Sequence, residues 1–440
     1  MRRAGFGPKV SAAMRPGAKI TVAAACMGWL LSAVDIVLLI LFQRQVAEGL
    51  GVDPQTVRIS IGVGLLGSAL GGVALAQLGD RIGRVSALAW SVALYSLATG
   101  GMGLAPNVGT LMALRFVAGV GTGGEWSVGF ALIAEAWPRG GRGRVGGVVA
   151  AMFNVGTFLA IGLYQSGIGW RWSFGLMALP ALGVMWLRRV VPESPVWLAL
   201  QEARREGRVP PELEASIRRP PLVAVLHGPL LGVTVRATLV FTLMNFAFYA
   251  LSTVFINYLQ HDPAGGGLGL SPRDEMPFQL AMTLAAMVGV VTAGALSDVW
   301  GRRRTFTDYC VAGAIGFSWL HSLTAGAAPG GGAPPGLLAA FAVVCAAFGI
   351  NGIMGVLAPE LYPTHLRATG PGLCQNLGKG IGGMAGPPVA GALVPVLGFP
   401  LVLALPGVLF VALALLIWTL PKVGGREVRP VEGAEYLDRT

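Results

Sequence analysis

The sequence predicts an all-α membrane protein of twelve transmembrane helices, arranged as two pseudo-symmetric six-helix halves. Three observations carry that expectation. Apolar blocks long enough to cross a bilayer follow one another along the chain, basic residues alternate with them, and two charged motifs recur half a chain apart.

Hydrophobic residues make up 54% of the 440 residues and charged residues 12%, where a soluble domain carries about 25% charged. Mean hydropathy is +0.67. A crossing takes roughly 20 apolar residues. The first six blocks that meet this lie at 20–42, 58–78, 85–104, 110–134, 145–164 and 172–191. The second six lie at 234–259, 277–297, 305–326, 336–357, 370–396 and 400–420. Between the sets, Arg204, Arg205, Glu206, Arg208, Pro210, Pro211, Arg218 and Arg219 make a polar connector. The expected organisation is an N-terminal half over 1–191, a connector over 192–233, a C-terminal half over 234–421 and a tail over 422–440.

The net charge of +11 is a topology signal. Of the 32 Lys and Arg, 26 fall in segments on one side of the expected membrane. Arg44, Arg58, Arg171 and Arg273 fall on the other, and Arg115 and Lys379 lie inside spans. Short basic loops stay cytoplasmic, so both termini are expected there. Arg2, Arg3, Lys9, Arg15 and Lys19 hold the N-terminus, and the apolar run after them reads as a retained first span. This alternation excludes a nucleic-acid binder, which gathers its charge on one face. With 66 Gly and far more Arg than Lys, the composition points to a bacterial inner membrane.

Cys26, Cys310, Cys345 and Cys374 lie in apolar spans without ligand spacing, and His227, His261, His321 and His365 have no close metal-like partner. Neither a metal nor a cofactor is expected. A phosphate-cradling GxxxxGK[ST] loop is also missing, which argues against ATP as the energy source.

The repeat comes in two parts. Asp80, Gly83 and Arg84 follow the second span as Asp298, Gly301 and Arg302 follow the eighth, 218 residues on. Glu135, Trp137, Pro138 and Arg142 follow the fourth span as Glu360, Tyr362, Pro363 and Arg367 follow the tenth, 225 residues on. Gly83 and Gly301 permit turns that side chains resist. Arg84 and Arg302 can hold helix ends or lipid phosphates.

The string at 76–84 resembles the signature loop of the major facilitator superfamily, and 294–302 resembles its second copy. PESPVWL at 192–198 is similar to the loop after helix 6 of sugar and metabolite porters. A fuller likeness, to proton symporters for sialate, lactate and aromatic acids, rests on GWLLSAVDIVLLIL at 28–41, RFVAGVGTGGEWSVG at 115–129, and PELYPTHLRATGPG with NLGKGIGG at 359–383. The chain departs from these patterns in having Ala76 for a usual Gly, Ser32 for a frequent acid, and Lys379 for a common arginine. The resemblance implies that Asp80 and Asp298 latch the halves in an outward-facing state, and that the working unit is a monomer.

Ionisable groups deep in a bilayer are functional candidates by default. Here they are Asp35, Arg115, Glu125 and Lys379. At 1.5 Å per residue, Asp35 lies roughly 22 Å from the cytoplasmic start of its helix and Arg115 about 7 Å from the outer surface. In a core of about 30 Å these depths coincide, which pairs the two and makes Asp35 a candidate proton carrier. Helical angles put Thr122 and Trp126 on the Arg115 face. Glu125 lies off it, as a packing group or a second proton carrier. Gln375, Asn376 and Lys379 share a glycine-lined face of the eleventh span, and Asn245, Tyr249 and Ser252 share one of the seventh; Asn154 and Asn351 complete the candidate substrate contacts.

Two cations and one carboxylate facing a path suit symport of a small organic anion with protons. A neutral sugar or polyol porter is the alternative that PESP favours. Proton-coupled efflux is the other, but the GxxxGPxxGG string of such exporters is missing from 145–164. A receptor or an intramembrane enzyme would need a signalling domain or a catalytic cluster, and the chain carries neither.

Overall fold

A computed structural model describes residues 17–138, 140–209, 211–271, 274–326 and 332–422. The basic N-terminal stretch before Gly17, Pro210, Arg273 and the tail beyond Lys422 lie outside the described residues. Every regular element among those described is helical.

The first half contains α1 (Ala18–Leu50), α2 (Pro54–Ile82), α3 (Arg84–Met102), α4 (Val108–Ala136), α5 (Arg142–Gln165), α6 (Trp170–Leu176) and α7 (Leu179–Val190). Between the two sets of long helices lie α8 (Pro195–Arg205), α9 (Pro211–Arg218) and α10 (Pro221–Val225). The second half contains α11 (Gly228–Gln260), α12 (Met276–Trp300), α13 (Arg302–Ala325), α14 (Leu337–Ala347), α15 (Ile350–Glu360) and α16 (Thr369–Leu416). Nine helical stretches among the described residues are long and apolar enough to cross a membrane. Twelve crossings follow once α6 with α7 and the more polar α13 are counted, and α16 is divided in two.

Local chemistry explains the breaks. Pro180 lacks an amide and its ring opposes the carbonyl four residues back, and α6 ends there, at Leu176. In α16 the backbone leaves helical geometry at Gly398 (φ 76°, ψ 161°), which separates 369–397 from 399–416. The α14–α15 break is bridged by Asn351, whose Nδ2 donates to the Phe348 carbonyl at 3.1 Å. Gly83 (φ 102°) and Gly301 (φ 91°) make the tight turns expected after α2 and α12.

Lipid cannot drive helices together as water does, so close backbone contact becomes the cohesive force. A side chain at Gly119 would collide with the Gly64 carbonyl, and one at Gly123 with the Ser68 carbonyl, so α2 and α4 touch along their backbones. Gly378, Gly382 and Gly386 bring α16 against α11 in the same way. The Ala76 departure has a physical counterpart here. Its methyl group faces Gly372 on α16, whereas Gly294 faces the backbone of Gly143 and Gly147 on α5. A small partner opposite makes room in both copies. Large apolar side chains such as Trp90, Leu97, Val288, Ile315 and Leu415 are exposed and form a lipid-facing surface.

Candidate functional site

The four ionisable groups singled out in the spans converge. Arg115 Nη1 on α4 lies 3.0 Å from Asp35 Oδ2 on α1, with side-chain exposures of 4% and 1%. Gly64 on α2 leaves room for the arginine, since a side chain there would meet Arg115 Nε. Thr99 on α3 donates to Asp35 Oδ1. Tyr95, one turn earlier, is buried, donates to the Gly28 carbonyl at 3.4 Å, and is near enough to Asp35 and Glu125 to feel both charges. Neither Thr99 nor Tyr95 stands out in the sequence, because a lone hydroxyl in an apolar span carries no periodic signal.

Glu125 points at α1, its Oε1 against the space beside Gly28, and its buried Oε2 has no hydrogen-bond partner. Lys379 on α16 is close enough to Arg115, Asp35 and Glu125 for the charges to act on one another. It makes no ion pair or hydrogen bond among the described residues.

The other candidates divide into committed and available groups. Thr122 donates to Gly119 of its own helix at 3.1 Å, and Trp126 packs edge-on against Phe241 of α11, centroids 5.6 Å apart. Asn376 ties the halves together: it accepts from Ser68 (3.3 Å) and donates to Gly123 (3.3 Å) and Gly372 (2.8 Å). Asn245 donates to Phe241 in its own helix, and Tyr249 lies against Gly383. Gln375 keeps a buried Oε1 without a partner. Asn154 is half-buried on α5.

A second, larger network closes the end of the bundle that carries the repeated motifs. Asp80 Oδ2 accepts from the Thr369 amide (2.9 Å) and hydroxyl (2.6 Å), and Oδ1 from the Ala368 amide (3.3 Å). Asp298 accepts from the amides of Gly143 and Arg144, both at 2.9 Å. A helix N-terminus presents unsatisfied N–H groups and a positive dipole end, and each carboxylate caps a helix of the opposite half. Arg84 is fully buried and binds Glu135 through two nitrogens (3.1 and 3.2 Å), the Thr364 carbonyl (2.7 Å) and Asp80 (3.0 Å). Arg367 approaches Glu135 at 3.8 Å. In the second copy, Arg302 binds Asp298 (2.7 Å) and Ser297 (2.6 Å), while Glu360 lies 3.7 Å from both Arg302 and Arg142.

Glu193, from the PESP string, accepts from the amides of Arg84 (2.9 Å) and Val85 (3.1 Å) and so caps α3. Trp197 adds a hydrogen bond to the Asp80 carbonyl at 3.1 Å. Counting from the proline after each half's last span, Glu193 corresponds to Lys422 in the second half. The string is visible in the sequence, but the helix it caps is set only by folding.

Two helical halves joined by buried charges at one end, with further charges buried among their helices, are the build of a polytopic membrane transporter. The chain belongs to the Major Facilitator Superfamily, whose sequence pattern matches residues 20–375. It is 24% identical over 410 residues to the sialic acid transporter NanX of Escherichia coli K12, covering 92% of this chain and 94% of that one. To the niacin transporter NiaP of Acinetobacter baylyi it is 26% identical over 387 residues, covering 82% and 84%. Among solved structures it superposes on the proton:xylose symporter XylE bound to 6-bromo-6-deoxy-D-glucose with a TM-score of 0.72. That match has 19% identity and covers 92% of this chain and 96% of that one, a likeness of fold. The protein is therefore a multi-pass membrane transporter and not an enzyme.

Proposed function

We propose that the chain takes up a small organic anion, a monocarboxylate, sugar acid or aromatic acid, together with protons. The observation that carries this is the buried Asp35–Arg115 pair with Lys379 nearby and uncommitted. An incoming carboxylate finds Lys379 without a partner and competes with Asp35 for Arg115. Once Arg115 turns to the substrate, Asp35 sits in a low-dielectric site without its counter-ion, where proton uptake relieves the cost of a buried charge. The loaded, charge-balanced protein can then rock its halves and open the other side. Asn245, Tyr249, Asn351, Gln375, Thr122 and Trp126 are the polar and aromatic groups we assign to substrate, and Glu125 is a second proton site. Relatives named for sialic acid and niacin support an acidic substrate.

We place the latch end in the bacterial cytoplasm with both termini, take 192–233 as the connector between the halves, and take the monomer as the working unit. A neutral sugar is the second reading, supported by the PESP string. The deciding experiment records internal pH in proteoliposomes during external addition of carboxylates, sugars and cationic drugs. Acidification with one carboxylate class, lost in Asp35→Asn, is expected. A response to sugars alone, or normal flux in Asp35→Asn, overturns the proposal.

A further inference from the structure

Beside the latch, a cavity of about 300 Å3 opens between the end of α2, the turn Thr364–Leu366 and the connector helices α8, α9 and α10. Four arginines line it: Arg81, Arg204, Arg218 and Arg219. The carboxylate in its wall, Asp80, is already occupied by Thr369, Ala368 and Arg84. Glu214, just outside, binds Arg204 Nε and Arg218 Nε, both at 3.2 Å. Arg81 and Arg219 have no acidic partner among the described side chains. Arg84 is shared between Asp80 and Glu135, so among the described side chains four arginines stand against two carboxylates, Asp80 and Glu214, and leave two positive charges facing one concave space. Guanidinium forks match phosphate oxygens in pairs, and an excess of this size calls for a multivalent anion.

We propose that this cavity binds a phosphate-bearing anion and that its occupancy holds the latch closed. Its walls come from both sides of the latch. Arg81 follows Asp80 on α2, and Leu366 precedes the Ala368 and Thr369 amides that Asp80 caps. A ligand spanning them is held only while they are together, which gives it the differential affinity a conformational bias requires. The anion can be a lipid headgroup or a soluble phosphate compound. The recognising chemistry is the same for both, and the proposal does not depend on the identity of the transported substrate.

The test uses full-length protein in uncharged detergent, titrated with pyrophosphate at constant ionic strength, and compares it with an Arg81→Gln/Arg219→Gln variant. Neither arginine is paired with an acid among the described side chains, so the variant keeps the folded framework. Saturable binding, slower hydrogen exchange at the Ala368 and Thr369 amides, and an affinity reduced about tenfold or more in the variant are expected. In a second arm, phosphatidylcholine nanodiscs are compared with discs that also contain phosphatidylglycerol. Protection there without a pyrophosphate effect assigns the site to a lipid headgroup. Protection by neither probe, or protection undiminished in the variant, overturns the site. Binding that leaves exchange at 368 and 369 unchanged overturns its link to the latch.

Discussion

Asp80 and Asp298 are two-fold counterparts: each carboxylate caps the first turn of a helix in the other half, Asp80 on α16 and Asp298 on α5. The two locks differ in strength. Arg84 binds Glu135 through two nitrogens at 3.1 and 3.2 Å, whereas Arg302 reaches Glu360 only at 3.7 Å. Glu193 reinforces the first lock, and its counterpart in the second half is Lys422.

The first prediction follows from that asymmetry. Asp80→Asn should release the closed end more than Asp298→Asn, because it removes a charge from the tighter network. Spin-label distances between the motif ends of α2 and α16 should shift toward longer values in Asp80→Asn and change less in Asp298→Asn. Equal shifts in the two variants would show that the locks carry equal weight.

The Asp35–Arg115 pair should behave as a unit. Removing one partner of a buried pair typically costs about 3–5 kcal/mol because a buried charge is left uncompensated. Asp35→Asn and Arg115→Gln should each lower the unfolding midpoint in detergent, and the double variant should cost clearly less than their sum. Additive losses in the double-mutant cycle would mean that the two groups are not coupled.

Lys379 has no bonded partner among the described residues, so Lys379→Met should leave the unfolding midpoint nearly unchanged. Transport of the preferred anion should weaken, with KM raised about tenfold through the loss of one charge-assisted contact. A large loss of stability with unaltered KM would make Lys379 a structural residue.

Glycine contacts allow a paired comparison. Gly123→Ala drives a methyl group into the Ser68 carbonyl and should cost about 1–3 kcal/mol through overpacking. Gly62, on the same α2, has nothing within 4 Å, so Gly62→Ala should be neutral or stabilising by up to about 1 kcal/mol. Thermal unfolding of the two variants measures the difference directly.

In the connector, hydrogen bonds from Arg204 and Arg218 hold the Glu214 carboxyl below its ordinary range. A group whose folded value is depressed contributes stability above its unfolded value and loses it as pH falls through the folded one. The α8–α9 contact should therefore loosen under acid, from just above the ordinary glutamate range downward. The protection factors of α9 amides, taken against the intrinsic exchange rate at each pH, should fall over that interval in the wild type and be lower at neutral pH in Glu214→Gln. Protection factors that do not change with pH would contradict the assignment.

Much of the architecture was legible before any coordinates. Continuous apolar runs of about 20 residues demand helices, since a backbone crossing a bilayer must satisfy its own hydrogen bonds, and the Asp80 and Asp298 motifs repeat at a constant offset. The Asp35–Arg115 pairing could be read from depth, because helical rise converts residue number into height. Height says nothing of azimuth, however. Which face of α3 turns inward to bring Thr99 to Asp35, and that Asn376 is spent on Ser68, Gly123 and Gly372, depends on how neighbouring helices rotate and pack.

The sequence by itself determined the number of crossings and the two-fold repeat, since these follow from local hydropathy and from motif spacing along the chain, and it singled out the buried charges. The latch role of Asp80 and Asp298 came only as an implication of their resemblance to a family signature loop. Only the tertiary structure decided that Glu193 caps α3, that the first lock is the tighter one, and that Lys379 stands near Asp35, Arg115 and Glu125. Each of these is a contact between segments far apart in the chain, fixed by glycine-mediated close approach and by which orphan amide or charge lies within reach.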